Sequence, residues 1–292
     1  LSATRTERDW EVVVVGGGPA GLAAGLQLAR AGRRTALVER GALGGQARRL
    51  SCLENVPGWP AGVPGRKLMS LWARQACGWG LKPVKGDVSA LRSRRGAFVV
   101  RFSDGRSLEA QAVVLAPGAS FKRLGVPGER RLFGKGVQHA AFDEAPRWRG
   151  RVVAVVGGGE AAVHQAVHLA RWARRVVLVA RGPLRAHRLL TARLAACPNV
   201  EIMSGRVARI EGRDRVEALV FRGGDGRILR LPVSAVFVLI GAEASPWARR
   251  APAAGVFLAG DARGTVERQV AVAAGDGMAA AVRALRWLQE RP

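Results

Sequence analysis

The chain has no tyrosine, three cysteines and five lysines among its 292 residues. Cys52, Cys77 and Cys197 are too few and too far apart for a disulfide scaffold, a cysteine zinc cluster or a C-x-x-C redox pair, which excludes chemistry built on a sequence-local thiol pair. That usage fits a reducing compartment. Acidic residues are also scarce, with 22 Asp+Glu against 47 Lys+Arg and a formal net charge of +25. Because only five of the basic residues are lysine, 42 are arginine, and they are spread along the whole chain. Such a bias reflects codon composition more than a designed patch, so no specific nucleic-acid partner is expected. A strongly positive surface nevertheless steers anions, and acidic partners or substrates suit it.

Residues 1–10, LSATRTERDW, carry mixed charge and no apolar segment of a secretory signal, so a cytoplasmic location is expected. Residues 12–29 form an uncharged stretch of 18, close to the length that crosses a bilayer. It contains GGGPAG and Gln27, which divide it into strand, turn and helix, and no membrane partner is expected. At 48% hydrophobic residues the chain has the apolar content of a globular protein with one large or two medium domains.

The order EVVVV, GGGPAG, an apolar helical run and TALVER spells strand, glycine turn, helix, strand over residues 11–40. Gly16, Gly18 and Gly21 fit G-x-G-x-x-G, where the first glycine makes the turn, the second admits a pyrophosphate and the third packs helix on strand. The helix N-terminus then offers its positive dipole end to phosphate. Glu39 closes the second strand, where a carboxylate accepts ribose hydroxyls.

The unit recurs: RVVAVV leads into GGGEAA, with Gly157 and Gly159 in place and Ala162 at the third position, and VVLVAR follows a helix running to about Ala173. Two such units imply two dinucleotides. The second ends in Ala180 and Arg181 in place of an acid, and Arg181 with Arg185 suits the 2′-phosphate of NADP, the alternative being a solvated arginine loop.

Taken in order, GGGPAGL (16–22), GALGGQ (41–46), LENVPGWP (53–60), VVLAPGA (113–119), GKGV (134–137), GGGEAA (157–162), VFVLIGA (236–242), GVFLAGD (255–261) and RQVAVAAGDGMAA (268–280) resemble the low-molecular-weight thioredoxin reductase family of FAD and NAD(P) flavoproteins. The resemblance covers nearly the whole chain. It implies an α/β fold of two Rossmann-like domains, with an NAD(P) domain at 119–241 inserted in a discontinuous FAD domain at 1–118 and 242–292. It also implies a homodimer.

On the matching positions, FAD contacts are expected at Gly16, Gly18, Ala20, Gly21, Glu39, Gly45, Gln46, Asn55, Val88, Gly118, Gly260, Asp261, Arg268, Gln269 and Val270. Asp261 also reads alone as the acid closing an apolar strand. NADP contacts are expected at Gly157, Gly159, Glu160, Ala161, Ala162, Arg181, Arg185 and Gly241.

The sequence departs from the family where the catalytic C-x-x-C and its following Asp belong. Here it reads His139, Ala140, Ala141, Phe142, Asp143. Without two adjacent sulfurs no dithiol takes electrons from the flavin, so ordinary thioredoxin reduction is not expected. His139 and Asp143 are the candidate catalytic pair, as proton donors or flavin-tuning groups; the other reading makes them relics of the lost site.

Further departures are Pro117 in the A-T-G linker, His164 and Gln165 for an acidic pair, and a connection at 245–255 shorter than the family's. HQAVH at 164–168 resembles a zinc-protease pattern but lacks its general-base Glu, so no metal is expected. Cys52 is expected to be a small buried residue, and Trp59, Trp72 and Trp79 core or interface residues.

The leading expectation is an FAD enzyme that takes hydride from NADPH and passes electrons to a non-disulfide acceptor. An acidic ferredoxin or flavodoxin matches the basic surface. A flavin oxidase or quinone reductase using a small-molecule acceptor, and an idle FAD-binding sensor, remain as alternatives.

Overall fold

The computed structural model describes residues 6–94, 96–140, 144–247, 253–264 and 267–290. In chain order the elements are β1 (Thr6–Val15), α1 (Pro19–Arg30), β2 (Thr35–Glu39), α2 (Gly65–Gly78), β3 (Lys82–Lys85), β4 (Val88–Arg94), β5 (Ala97–Phe102), β6 (Ser107–Leu115) and β7 (Ala119–Phe121). There follow β8 (Val137–Gln138), β9 (Val152–Val156), α3 (Glu160–Ala170), β10 (Arg175–Ala180), α4 (Arg188–Ala195), β11 (Val200–Glu211), β12 (Ala218–Gly223), β13 (Ile228–Pro232) and β14 (Ala235–Val238). The chain closes with β15 (Ala242–Ala244), β16 (Val256–Leu258) and α5 (Val270–Gln289).

Two compact units result. One comprises Leu1–Ser120 with Ala244–Pro292, the other Phe121–Glu243. β7 and β15, on the two segments where the chain passes from one unit to the other, pair into a small sheet of their own.

In the discontinuous unit the sheet runs β3-β2-β1-β6-β5-β4, with β16 also paired to β6. β1 is parallel to β2 and β6, in register Val13 to Ala36 and Val113. Parallel strands joined through helices are covered on both faces, which is why they read as unbroken valine runs without alternation. Val12, Val14, Leu37 and Val114 face a core shared with the apolar stripes of α1, α2 and α5. Val13, Val15, Val38 and Leu115 face the other, where Phe98, Val100 and Phe102 of β5 cover them. Helix α1 begins with Pro19 at its first position, where a missing N–H costs nothing, and its C-terminal turn carries Arg30.

The inserted unit has order β13-β12-β11-β10-β9-β14-β8. Val153, Val155, Leu178 and Phe237 pack under α3 and α4, and Ala154, Val156, Val177 and Val238 meet Val207, Leu219 and Phe221 on the opposite face. The strand order reverses at β9, since β10 and β11 lie to one side and β14 and β8 to the other. Helix α3 stops at Ala170, short of the Ala173 expected from its apolar stripe. Ala173 is buried in the turn that follows, where its N–H donates to Leu169 O at 2.8 Å. The apolar signal outlasts the helix because a turn packed on the core is apolar too.

Among the described residues no helix is long and apolar enough to cross a membrane.

Candidate functional site

Both glycine turns sit between a parallel strand and a helix. Gly16 adopts φ 101°, and a Cβ there would lie 2.2 Å from Ala116 O at the end of the neighbouring strand. Gly157 repeats this with φ 143° and a Cβ 2.2 Å from Leu239 O. A left-handed backbone pressed against a carbonyl admits only glycine.

The second glycines differ in kind. Among the described residues, a Cβ at Gly18 or Gly159 would meet nothing within 4 Å and neither helix N-terminus has a side-chain cap, so each glycine leaves open space there. Uncapped N–H groups facing open space form an anion cradle. The third position is tight in the first turn, where a Cβ on Gly21 would lie 1.8 Å from Gly16 O. In the second turn it is the fully buried Ala162, whose methyl would come 3.1 Å from a Cβ placed on Gly157.

Several of the predicted residues meet at the first cradle, and others bond to one another. Glu39 accepts the Gly17 N–H at Oε2 and the Gly41 N–H at Oε1, both at 2.8 Å. These bonds fix the carboxylate at the strand end and leave each oxygen a further lone pair for a ribose hydroxyl. The Gly44 N–H donates to Gly17 O at 2.7 Å, and a Cβ on Gly45 would stand 2.9 Å from Gly18 Cα, so the 44–45 turn lies against the glycine loop. Gln46 donates from Nε2 to Ala119 O at 2.7 Å, beside Gly118. Ala20 touches the far end of the chain: a Cβ on Gly260 would come 2.7 Å from its methyl. Asn55 Nδ2 donates to Gln269 Oε1 at 2.7 Å, and Val270 follows as the first residue of α5. Val88 opens β4, half-buried, three residues beyond Lys85, whose register partner is Glu39.

Asp261 does not close a strand. β16 stops at Leu258, and Asp261 lies in the one-turn helix Gly260–Arg263 that follows. Burial pushes its carboxyl up from the ordinary range; the Arg268 guanidinium pulls against that and the Asp276 carboxylate adds to it. Among the described residues, Arg268 Nε is buried without a partner. A desolvated acid and an orphaned donor beside the first cradle fit a polar ligand that would satisfy both, as the hydroxyls and phosphates of FAD do.

In the inserted unit, the Arg185 N–H donates to Gly158 O at 2.7 Å, and Gly159 and Arg185 form a parallel bridge. This backbone pairing holds the loop after β10 against the second cradle. Arg181 and Arg185 are both exposed. Glu160 and Ala161 open α3, and Gly241, at φ 104°, accepts the Lys122 N–H at 2.9 Å.

His139 follows β8 and Asp143 lies outside the described residues. The His139 ring stacks on Phe121 with centroids 5.1 Å apart and planes at 18°, and Nδ1 lies 3.1 Å from Val238 O. All three cysteines are free, and Cys52 and Cys197 are only partly buried while Cys77 is exposed. The expectation of a buried Cys52 is therefore corrected, since its loop lies at the surface. Trp59 and Trp72 pack against the core under α2, whereas Trp79 is 55% exposed. His164 and His168 are half-buried on α3, and the described residues contain no cluster of metal-ligand type.

Sequence reasoning missed Gly17 and Gly41, whose N–H groups hold Glu39, and Gly277, where a Cβ would come 2.0 Å from Ala20 O and force α5 off α1. The only signal was a run of small residues, which does not say which neighbour comes close.

A family model described as "Pyridine nucleotide-disulphide oxidoreductase" matches residues 10–276. The chain belongs to that family. Within it, the chain is thioredoxin reductase-like. It is 31% identical to thioredoxin reductase of Treponema pallidum over 302 residues, covering 97% of this chain and 98% of that protein. It is 34% identical to the bifunctional thioredoxin reductase/thioredoxin of Mycobacterium leprae, of which it spans 66%. The crystal structure of Lactococcus lactis thioredoxin reductase superimposes with TM-score 0.90 at 26% identity, over 96% of this chain and 99% of that one. As a pyridine nucleotide-disulphide oxidoreductase of this class, the protein is an FAD-dependent NAD(P)H oxidoreductase with two Rossmann-like domains. Its cofactors are FAD and NADP, and the two cradles fit them.

Proposed function

We propose that this flavoprotein takes hydride from NADPH and delivers electrons to an acceptor that is not a disulfide, an acidic ferredoxin or flavodoxin being favoured. The observation that carries this reading is the placement of sulfur. The three cysteines stand at 52, 77 and 197, all free, and residues 139–143 contain none. Reduction of a protein disulfide by a dithiol needs two sulfurs able to form a bond with each other, and residues 139–143 offer no such pair.

FAD supplies the two-electron acceptance of hydride and the stepwise release of electrons. The chain supplies position. In the proposed assignment Gly16, Gly18, Gly21 and Glu39 hold FAD by pyrophosphate and ribose, with Gly45, Gln46, Asn55, Gly118, Asp261, Arg268 and Gln269 around it. Gly157, Gly159, Ala162 and Arg185 hold NADPH, with Arg181 and Arg185 supplying charge for the 2′-phosphate.

An acidic partner is supported by the net charge of +25 and by the exposed face of the β11–β12 arm. Arg206 and Arg222 stand opposite each other there, both exposed, in a like-charge pairing that an incoming carboxylate relieves. The proposal includes a homodimer and a cytoplasmic location.

The test is anaerobic titration of the purified flavoprotein with NADPH and NADH, read by flavin absorbance, followed by an acceptor panel of ferredoxin, flavodoxin, quinone, oxygen and thioredoxin. Rapid bleaching by NADPH and turnover with an acidic carrier are expected. Turnover with thioredoxin would overturn the non-disulfide reading. Reoxidation by oxygen or quinone alone would favour an oxidase or quinone reductase, and no bleaching by either nucleotide would sink hydride transfer from NADPH.

A further inference from the structure

In the inserted unit the strand order reverses between β9 and β14, and a dinucleotide spans the crevice at the carboxyl ends of such strands. The β10 side of that crevice is claimed by the loop holding Arg181 and Arg185, which is bonded to Gly158 and suits an adenosine 2′-phosphate. The other mononucleotide half therefore falls to the β14–β8 side. Val238 ends β14 in register with Val156, the residue before the Gly157 turn, and His139 is bonded to that Val238 carbonyl.

The ring is held on three sides. Phe121 stacks on it, and Phe133 lies 5.3 Å away between centroids at 45°. Phe133 is 56% exposed, a large apolar ring that core packing does not account for. A carbonyl oxygen only accepts, so the 3.1 Å contact to Val238 O places a proton on Nδ1. Nε2 then lies on the far side of the ring with no partner among the described residues, and it is not among the sealed, unpartnered polar atoms.

We infer that His139 recognises the nicotinamide of NADPH, its Nε2 accepting from the carboxamide NH2 while Phe133 provides an apolar wall. The inference rests on the inserted unit taking NADPH. It makes His139 a specificity residue for the nicotinamide half, in a segment where the family resemblance implies sulfur chemistry.

The experiment is equilibrium binding to the FAD-loaded full chain of three ligands: NADP+, adenosine 2′,5′-bisphosphate, which lacks the nicotinamide half, and the 3-acetylpyridine analogue of NADP+, which has a methyl for the amide NH2. His139→Asn keeps a donor for Val238 O but has no second ring nitrogen. The variant is expected to bind NADP+ about tenfold more weakly while holding the bisphosphate unchanged, and to lose the wild type's preference for NADP+ over the analogue.

Equal weakening of NADP+ and the bisphosphate would overturn the inference, as would an unchanged preference for NADP+ over the analogue. If the wild type binds neither NADP+ nor the bisphosphate, the nucleotide assignment itself fails and His139 with it. If wild type and variant bind both equally well, the assignment stands and only the role of His139 is refuted.

Discussion

Replacing Gly18 by alanine separates folding from cofactor binding. Gly18 has φ −74° and ψ −174°, which any L-residue adopts, and its Cβ would meet nothing within 4 Å among the described residues. The apoprotein should therefore tolerate Gly18→Ala at a cost of no more than about 1 kcal/mol for the poorer N-cap, a few degrees in Tm. Gly16→Ala, with φ 101° and a Cβ 2.2 Å from Ala116 O, should destabilise the same unit by several times that. If the open space above Gly18 is where a pyrophosphate approaches the helix N-terminus, the new methyl group displaces it from one or two charge-assisted N–H bonds. Each contributes about 1.5–3 kcal/mol, so FAD affinity should fall by roughly 10- to 10⁴-fold. The assay is flavin fluorescence titration of the stripped protein beside a thermal melt without FAD. Gly159→Ala, with φ −91° and equally open space, should instead spare FAD and weaken NADP+. A Gly18→Ala protein that binds FAD like the wild type would refute the cradle. So would a Gly159→Ala protein that loses FAD while holding NADP+.

Asp261→Asn should stabilise the apoprotein at neutral pH and weaken FAD binding. The native carboxyl titrates above its ordinary range because of burial, so the folded state binds the proton more tightly and stability falls as pH rises from about 4. Thermal melts of wild type and variant should converge on acidification, and a gap that widens there would contradict the cause assigned. Arg185→Ala should weaken NADP+ by about 10- to 100-fold and leave NAD+ unchanged, read by calorimetry; equal losses for both would make the arginine a structural member of its loop. Glu129 is 4% exposed and accepts the Leu124 and Gly125 N–H groups at 2.9 and 2.8 Å, so Glu129→Ala should cost about 2–4 kcal/mol. Denaturant unfolding checks it, and a loss under about 0.5 kcal/mol would mean that water replaces both bonds.

The strand, glycine turn and helix at 11–30 were legible because their residue types answer local demands: β-branched residues for a doubly covered strand, glycine for a positive φ, an uncapped N-terminus for phosphate. What the sequence does not carry is distance between segments. Glu39 reads as a ribose acceptor, but its bonds to Gly17 and Gly41 depend on how tightly the turn folds back over the strand end. Asp261 reads as a strand terminus because LAGD continues an apolar run; the backbone turns at Gly260, with φ 67°, before the acid is reached. His139 stands out only where the family resemblance implies cysteine. Its ring partners Phe121 and Phe133 and its carbonyl partner Val238 come from three separate segments, and no spacing rule relates them.

The proposed assignment also says how one chain would sort two dinucleotides with the same turn. A Cβ on the first glycine would stand 2.2 Å from a carbonyl oxygen in both units, and one on the second would meet nothing within 4 Å among the described residues, so in the proposed assignment the glycine turns alone offer no discrimination. Discrimination then falls to the end of the second strand of each unit and the loop after it. In one, Glu39 is fixed by two backbone N–H groups, and a carboxylate at that strand end repels a 2′-phosphate. In the other, the backbone of Arg185 is bonded to the glycine turn and its side chain is exposed, and in the proposed assignment its charge attracts that phosphate. Exchanging the charge therefore matters more than exchanging the turn. Placing an acid at Arg181 or Arg185 should move the inserted unit's preference toward NAD, while substituting Ala162 by glycine, which restores the third glycine, should leave that preference unchanged.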